Sequence, residues 1–193
     1  RDRDMKELVT ICDHIIFNSF AQFEKHKEII SEYNNSQREN GNRVSIGMRV
    51  NPEFSTQEGH AIYDPCAPGS RLGVVRAKFP ETLPKEIEGL HMHTLCEQDS
   101  DDLEATFNAF EKSFEPYLKK IKWLNLGGGH HITRPGYDIE RLIRLIKRIK
   151  DTYHLEVYLE PGEAIALNAG YLITEVQDIV DLSLIHISEP TRP

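Results

Sequence analysis

Apolar and polar positions along the chain follow two periods. Short apolar runs at residues 14–17, 44–50, 89–95, 121–126 and 155–159 have the length of buried strands. Stretches with helical spacing lie between them, at 5–12, 21–33, 102–121 and 137–153. In the last of these, Ile139, Leu142, Ile143, Ile146 and Ile149 form one apolar stripe. Asp99 and Ser100, just ahead of Asp101, Asp102 and Glu104, predict a helix start whose acids suit the positive end of the dipole. Strand–helix–strand alternation predicts a parallel α/β sheet. The segment 51–71 carries Pro52, Gly59, Pro65, Pro68 and Gly69 and reads as a long functional loop. Residues 171–180 read as a strand with no helix before them, which predicts the start of a second domain. No internal repeat stands out.

Composition narrows the class. With 39% hydrophobic residues and 12 glycines in 193, the chain is neither disordered nor collagen-like. No apolar run approaches the ~20 residues of a membrane helix, and no signal peptide opens the sequence. A cytoplasmic protein without a membrane partner is expected. The 31 acidic against 23 basic side chains give a net charge of −8, which argues against a nucleic-acid partner. Cys12, Cys66 and Cys96 are odd in number and unpaired in spacing, as in a reducing compartment. The cluster Lys147-Arg148-Ile149-Lys150 reads as the solvated face of its helix.

Both ends look cut. The chain starts at Arg1 without an initiator methionine and runs straight into a helical pattern. Residues 182–193 break the preceding pattern and resemble an in-frame translation of a transposon-end adapter used in sequencing libraries. On that reading the natural sequence stops near Asp181 and His186 is no ligand. The alternative is a genuine strand ending in a Pro-containing tail.

In parallel α/β folds, sites form at the carboxyl ends of the strands, and four unusual groups fall there. His91 and His93 flank Met92 and share one strand face, so they suit a metal pair, a cofactor contact, or two hydrogen-bonded core histidines. Gly127, Gly128 and Gly129 close a strand and let backbone N–H groups approach a ligand, a phosphate above all; a flexible turn is the alternative. Glu160 and Glu163 flank Pro161-Gly162 after an apolar strand. They suit an acid/base pair, or one acid on a cationic ring nitrogen and the other on substrate, or else a surface turn. Arg49 ends an apolar strand and suits an anion or phenolate, or else a surface salt bridge. A glycine loop followed by Glu-Pro-Gly on the last two α/β strands matches the phosphate site of barrels, favouring a phosphorylated cofactor over a bare metal.

These motifs in this order resemble the fold-type III pyridoxal-phosphate (PLP) decarboxylases, the ornithine and diaminopimelate decarboxylase superfamily. Residues 63–73 (YDPCAPGSRLG), 89–98 (GLHMHTLCEQ) and 160–164 (EPGEA) are most similar to its carboxynorspermidine and carboxyspermidine decarboxylases. The resemblance covers about residues 1–181. It implies a partial (β/α)8 TIM barrel of the alanine racemase-like type, about strands 4–8, over residues 1–168. It also implies the beginning of a C-terminal β-domain at 169–181, with 182–193 as the adapter-derived tail. The chain's length agrees, since a closed barrel takes about 250 residues.

Position by position, the resemblance implies that His93 stacks on the pyridine ring and that Gly127, Gly128 and Gly129 bind the phosphate. It implies that Glu160 pairs with the pyridine nitrogen and that Arg49 lies near the cofactor. No metal is implied. Two positions depart from the amino-acid decarboxylases: Cys96 replaces a phosphate-binding serine, and Glu163 replaces an arginine. Glu163 is therefore expected to face the ammonium groups of a carboxylated polyamine substrate. The implied activity is decarboxylation to norspermidine or spermidine in a homodimer. No lysine here matches the cofactor-linking lysine of the family, and its C-terminal active-site residues are not seen, so this stretch alone is expected to be inactive. Two rival expectations stand beside it: a metal-dependent barrel hydrolase using His91 and His93, and a non-catalytic homologue.

Overall fold

The structure, a computed structural model, describes residues 2–37, 41, 43–58 and 63–178. Helix α1 (Asp2–Ile11) leads into β1 (His14–Phe17), α2 (Phe20–Ser36) and β2 (Ser45–Asn51). A loop then reaches β3 (Val74–Val75), a 3-10 turn at Arg76–Lys78 and β4 (Ile87–Met92). After these come α3 (Ser100–Leu118), β5 (Trp123–Asn125), α4 (Ile139–Tyr153), β6 (Glu156–Tyr158) and the short α5 (Gly162–Ala166). The helix starts are set locally. Ser19 caps α2 by accepting from the Gln22 N–H, and Asp138 caps α4 by accepting from the Arg141 N–H. Asp99 and Asp102 form a reciprocal capping box on α3.

Strands β1, β2, β4, β5 and β6 pair side by side in that order, every pair parallel, with β3 pairing onto the end of β2. The order never reverses. A doubly wound sheet would have a switch point, whereas a strand order that follows the sequence is that of a barrel wall. Alternation then divides the side chains. Met48, Leu90 and Leu124 are in register and fully buried, in one core with Leu103, Phe107, Phe110 and Phe114 of α3 and with Leu145 and Ile149 of α4.

On the opposite face Gly47, Gly89 and Trp123 are in register. The Trp123 indole occupies the space above both glycines, where any Cβ would collide with it. His14 of β1 and Tyr158 of β6 also meet there, ring centroids 4.9 Å apart, although their strands are the outer two of the five. The sheet therefore curls around Trp123, which fills its concave side.

The five expected strands and four long helices are all present, and three details differ. The buried stripe of α4 is Leu142, Leu145 and Ile149 with Ile146 partly covered, while Ile139 and Ile143 face outward. Helical rotation of 100° per residue makes 142, 145, 146 and 149 the better stripe. Residues 171–178 form no strand: Tyr171, Leu172, Ile173 and Val176 are exposed, and no described segment pairs with them to complete a ladder. Glu163 lies not in a turn but in the first turn of α5. The stretch 182–193 falls outside the described residues. Among the described residues no helix is long and apolar enough to cross a membrane.

Candidate functional site

The concave face that holds Trp123 continues one step toward the carboxyl ends as a polar row. Arg49, His91, Asn125 and Tyr158 are register partners across β2, β4, β5 and β6. Two residues beyond Tyr158, alternation returns Glu160 to the same side. The Asn125 amide Nδ2 donates to Glu160 Oε1 at 2.7 Å, which fixes the carboxylate and leaves Oε2 facing inward. His91 Nε2 lies 3.6 Å and His93 Nδ1 4.0 Å from that oxygen. The two imidazoles are 5.9 Å apart and nearly perpendicular.

The electrostatics of this row are unbalanced. His91 is buried, and neither ring nitrogen has a hydrogen-bond partner among the described residues; the approach to Glu160 is too long for one. Burial pushes its pKa down to about 4, with Arg49 and His93 adding to the shift and Glu160 opposing it. Burial likewise lowers His93, again reinforced by Arg49. Both rings are neutral at pH 7. The Arg49 guanidinium is itself lowered by burial, with Cys66 and Glu160 nearby to offset it. A half-buried cation and a buried imidazole without hydrogen-bond partners are costly. Such costs persist where a ligand completes the set.

The glycine turn stands against the same row. Gly127 and Gly129 have φ of +71° and +79°, a region that only glycine enters easily. A Cβ on any of the three would strike backbone: Met92 at Gly127, Glu160 at Gly128, Leu95 at Gly129. The Gly127 N–H donates to Asn125 Oδ1 at 2.8 Å, and the Gly128 N–H points to His93 Nδ1 at 3.5 Å. The N–H groups of Gly129 and His130 have no acceptor among the described residues. The donors open to an anion thus begin at Gly129, later than the glycine motif suggests.

The structure brings Arg49, His91, His93, Gly127, Gly128, Gly129 and Glu160 to one place. Cys96 is close by: a Cβ on Gly129 would lie 3.0 Å from its backbone N. It borders a cavity of about 440 Å3 with Thr56, Glu58, Glu97 and Asp102. Glu163 is exposed on α5, and among the described residues no side-chain hydrogen bond or ion pair joins it to this row. A hollow of about 520 Å3 opens far away, by Asn34, Arg43 and Lys85, and holds none of this chemistry. Three residues escaped the sequence reading. Asn125 precedes the glycines by two and so shares their strand face, a signal that was readable. His130 and Tyr137 lie beneath the glycine turn, and only the histidine's place after the glycine run marks it.

One ligand atom each from His91, His93 and Glu160 lies within 4.8 Å of the others, a spacing that a metal ion could use. The neighbouring Arg49 cation opposes a dication there.

No family model matches the chain. It is 41% identical over 181 residues to the carboxynorspermidine/carboxyspermidine decarboxylase of Campylobacter jejuni, covering 94% of this chain and 44% of that protein. It is 38% identical over 182 residues to the carboxyaminopropylagmatine decarboxylase of Synechocystis, with the same coverage. The chain thus spans less than half the length of these curated relatives. The crystal structure of the Campylobacter jejuni carboxynorspermidine decarboxylase complexed with norspermidine superposes with a TM-score of 0.72 at 40% identity, over 86% of this chain and 39% of that one. Diaminopimelate decarboxylase from Helicobacter pylori, complexed with L-lysine, shares the fold with a TM-score of 0.62 at 15% identity.

Proposed function

We propose that the chain, a homologue of carboxynorspermidine decarboxylases, forms the cofactor-holding wall of a PLP-dependent decarboxylase. Its substrate would be a carboxylated polyamine, carboxynorspermidine or carboxyspermidine, and its product norspermidine or spermidine. The observation that carries this reading is Glu160, held at Oε1 by Asn125 with Oε2 turned toward two neutral imidazoles. The residues fit the cofactor by two further tests: His91 is an orphaned buried group, and the glycine turn is a cradle that any Cβ would fill.

When bound, PLP supplies a ring that accepts the electron pair released as CO2 leaves the substrate's α-carbon. Each residue of the row has a task toward that chemistry. Glu160 Oε2 would accept a hydrogen bond from the protonated ring nitrogen and keep that proton in place. His93, half-exposed beside the glycines, offers an imidazole face for stacking. Gly129 and the start of the loop to α4 donate N–H groups to the phosphate. Arg49 neutralises an anionic ring substituent. Cys96 stands beside Gly129, where its thiol is a weaker phosphate partner than a hydroxyl.

The test is PLP titration of the protein carrying this chain, followed by CO2 release from carboxynorspermidine, carboxyspermidine and carboxyaminopropylagmatine. Binding with release from the first two supports the reading, and Glu160→Gln should lower turnover by about 100-fold or more. Failure to bind PLP overturns it. Tight zinc binding abolished by His91→Ala, with no PLP bound, would establish the metal-site reading that the His91, His93 and Glu160 spacing favours.

A further inference from the structure

The glycine turn rests on a buried chain of polar groups that runs from the end of the loop before α4 to the candidate stacking histidine. Tyr137, 8% exposed, places its hydroxyl 3.4 Å from His130 Nδ1. His130, 1% exposed, places Nε2 3.2 Å from the Gly127 carbonyl oxygen. That carbonyl also accepts from the Glu160 backbone N–H at 2.8 Å. The Gly127 carbonyl and the Gly128 N–H belong to one planar peptide group and point in opposite directions. On the far side of this plane the Gly128 N–H points to His93 Nδ1.

The donors and acceptors leave a single arrangement. The carbonyl only accepts, so His130 Nε2 carries the proton. Neutral His130 then has Nδ1 free to accept, and the Tyr137 hydroxyl donates to it. Burial keeps both groups in those states, lowering the His130 pKa and raising that of Tyr137 to about 12. On the other side of the peptide, His93 Nδ1 accepts from Gly128, so neutral His93 holds its proton on Nε2.

We infer that His130, keyed by Tyr137, is a positioning residue that sets the tautomer and ring orientation of His93 through the single Gly127–Gly128 peptide plane. The same lock holds that plane against rotation, and with it the N–H groups of Gly129 and His130 that the proposed phosphate would use. Glu160 joins the device through its backbone, so the stacking ring, the phosphate donors and the ring-nitrogen partner share one carbonyl as their common anchor. The inference deepens the PLP reading and rests on it for its ligand.

The experiment is 15N NMR of the histidine side chains with PLP titration, on the protein carrying this chain and on Tyr137→Phe, His130→Gln and His130→Leu. In the wild type, the His93 signals should show one tautomer, protonated at Nε2. Tyr137→Phe, which keeps the ring packing, should mix the His93 tautomers and weaken PLP binding by about threefold to tenfold, the range of one net hydrogen bond. His130→Gln, whose amide can still donate to the Gly127 carbonyl, should recover most of the affinity lost in His130→Leu. Unchanged His93 signals and PLP affinity in Tyr137→Phe overturn the inference, even if His130→Leu fails to fold. A wild type that shows the single His93 tautomer but binds no PLP overturns the functional reading and leaves the relay standing.

Discussion

The two ends of the concave face treat their charged groups in opposite ways. At the amino end, Glu88 sits among donors: Lys122 at 2.6 Å and Arg43 at 2.9 Å on one oxygen, and the Ser45 hydroxyl at 2.8 Å on the other. Ser45 in turn accepts from the Trp123 indole N–H at 2.8 Å, tying the network to the ring that fills the barrel wall. Burial alone would raise the Glu88 pKa, but these hydrogen bonds and the Arg43 charge outweigh it and hold it low. At the carboxyl end His91 is more deeply buried and has no hydrogen-bond partner among the described residues. One end is finished by the chain itself and the other is left for something to finish. In barrels the first pattern belongs to stability and the second to chemistry.

Acid exposes the contrast most strongly. A histidine whose pKa is lowered by folding contributes stability that is fully present above its unfolded value near 6.5 and is lost as pH falls through the folded value. For His91 that window runs from about 6.5 down to about 4, and the loss is about 3 kcal/mol. His93 and His130 shift in the same direction and add to it. Denaturant midpoints measured between pH 7 and pH 4 should therefore fall. In His91→Leu, which replaces two orphaned nitrogens with an apolar group, the acid loss should shrink and the pH 7 midpoint should hold or rise. A variant that loses stability at pH 7 would place His91 among the groups that hold the fold together.

The amino end should break by sterics instead. Gly89→Ala puts a methyl into the Trp123 indole and should cost about 2 kcal/mol by overpacking, read as a lower unfolding midpoint. A smaller loss of about 1 kcal/mol should follow Glu88→Gln, which keeps the shape but weakens the hydrogen bonds from Lys122 and Arg43. Neither change touches the glycine turn, so PLP affinity should hold in the fraction that folds. Altered affinity in Glu88→Gln would couple the two ends that the structure keeps apart.

What the sequence disclosed follows the same division. Strand ends are punctuated locally, so His91, His93, the three glycines and Glu160 could be assembled from alternation and order alone. Asp99 was readable as a helix start because its partner Asp102 is three residues away. The role of Trp123 was not, because it depends on Gly47 and Gly89, which reach it only through strand register. His130 and Tyr137 escaped for a similar reason: seven residues apart on a loop and at its end, they meet by tertiary packing. Residues 171–178 have the apolar content of a strand yet stand exposed, because a ladder needs a partner as well as a suitable sequence. Glu163 remains where sequence logic and geometry diverge, since it was read as facing substrate and stands exposed on α5.

That divergence sets the last test. If Glu163 serves the carboxyl end as an open charge, it acts on the substrate's ammonium groups through solvent, without a fixed partner. An exposed charge pair is worth at most about 1 kcal/mol and is screened by salt. Glu163→Gln should therefore raise KM for carboxynorspermidine by only about threefold, with kcat unchanged. The effect should fade as ionic strength rises, because screening already removes in the wild type what the substitution removes. An unchanged KM at low salt would leave Glu163 with no part in selecting the polyamine. A fall in kcat would put it closer to the reacting atoms than its place on α5 allows.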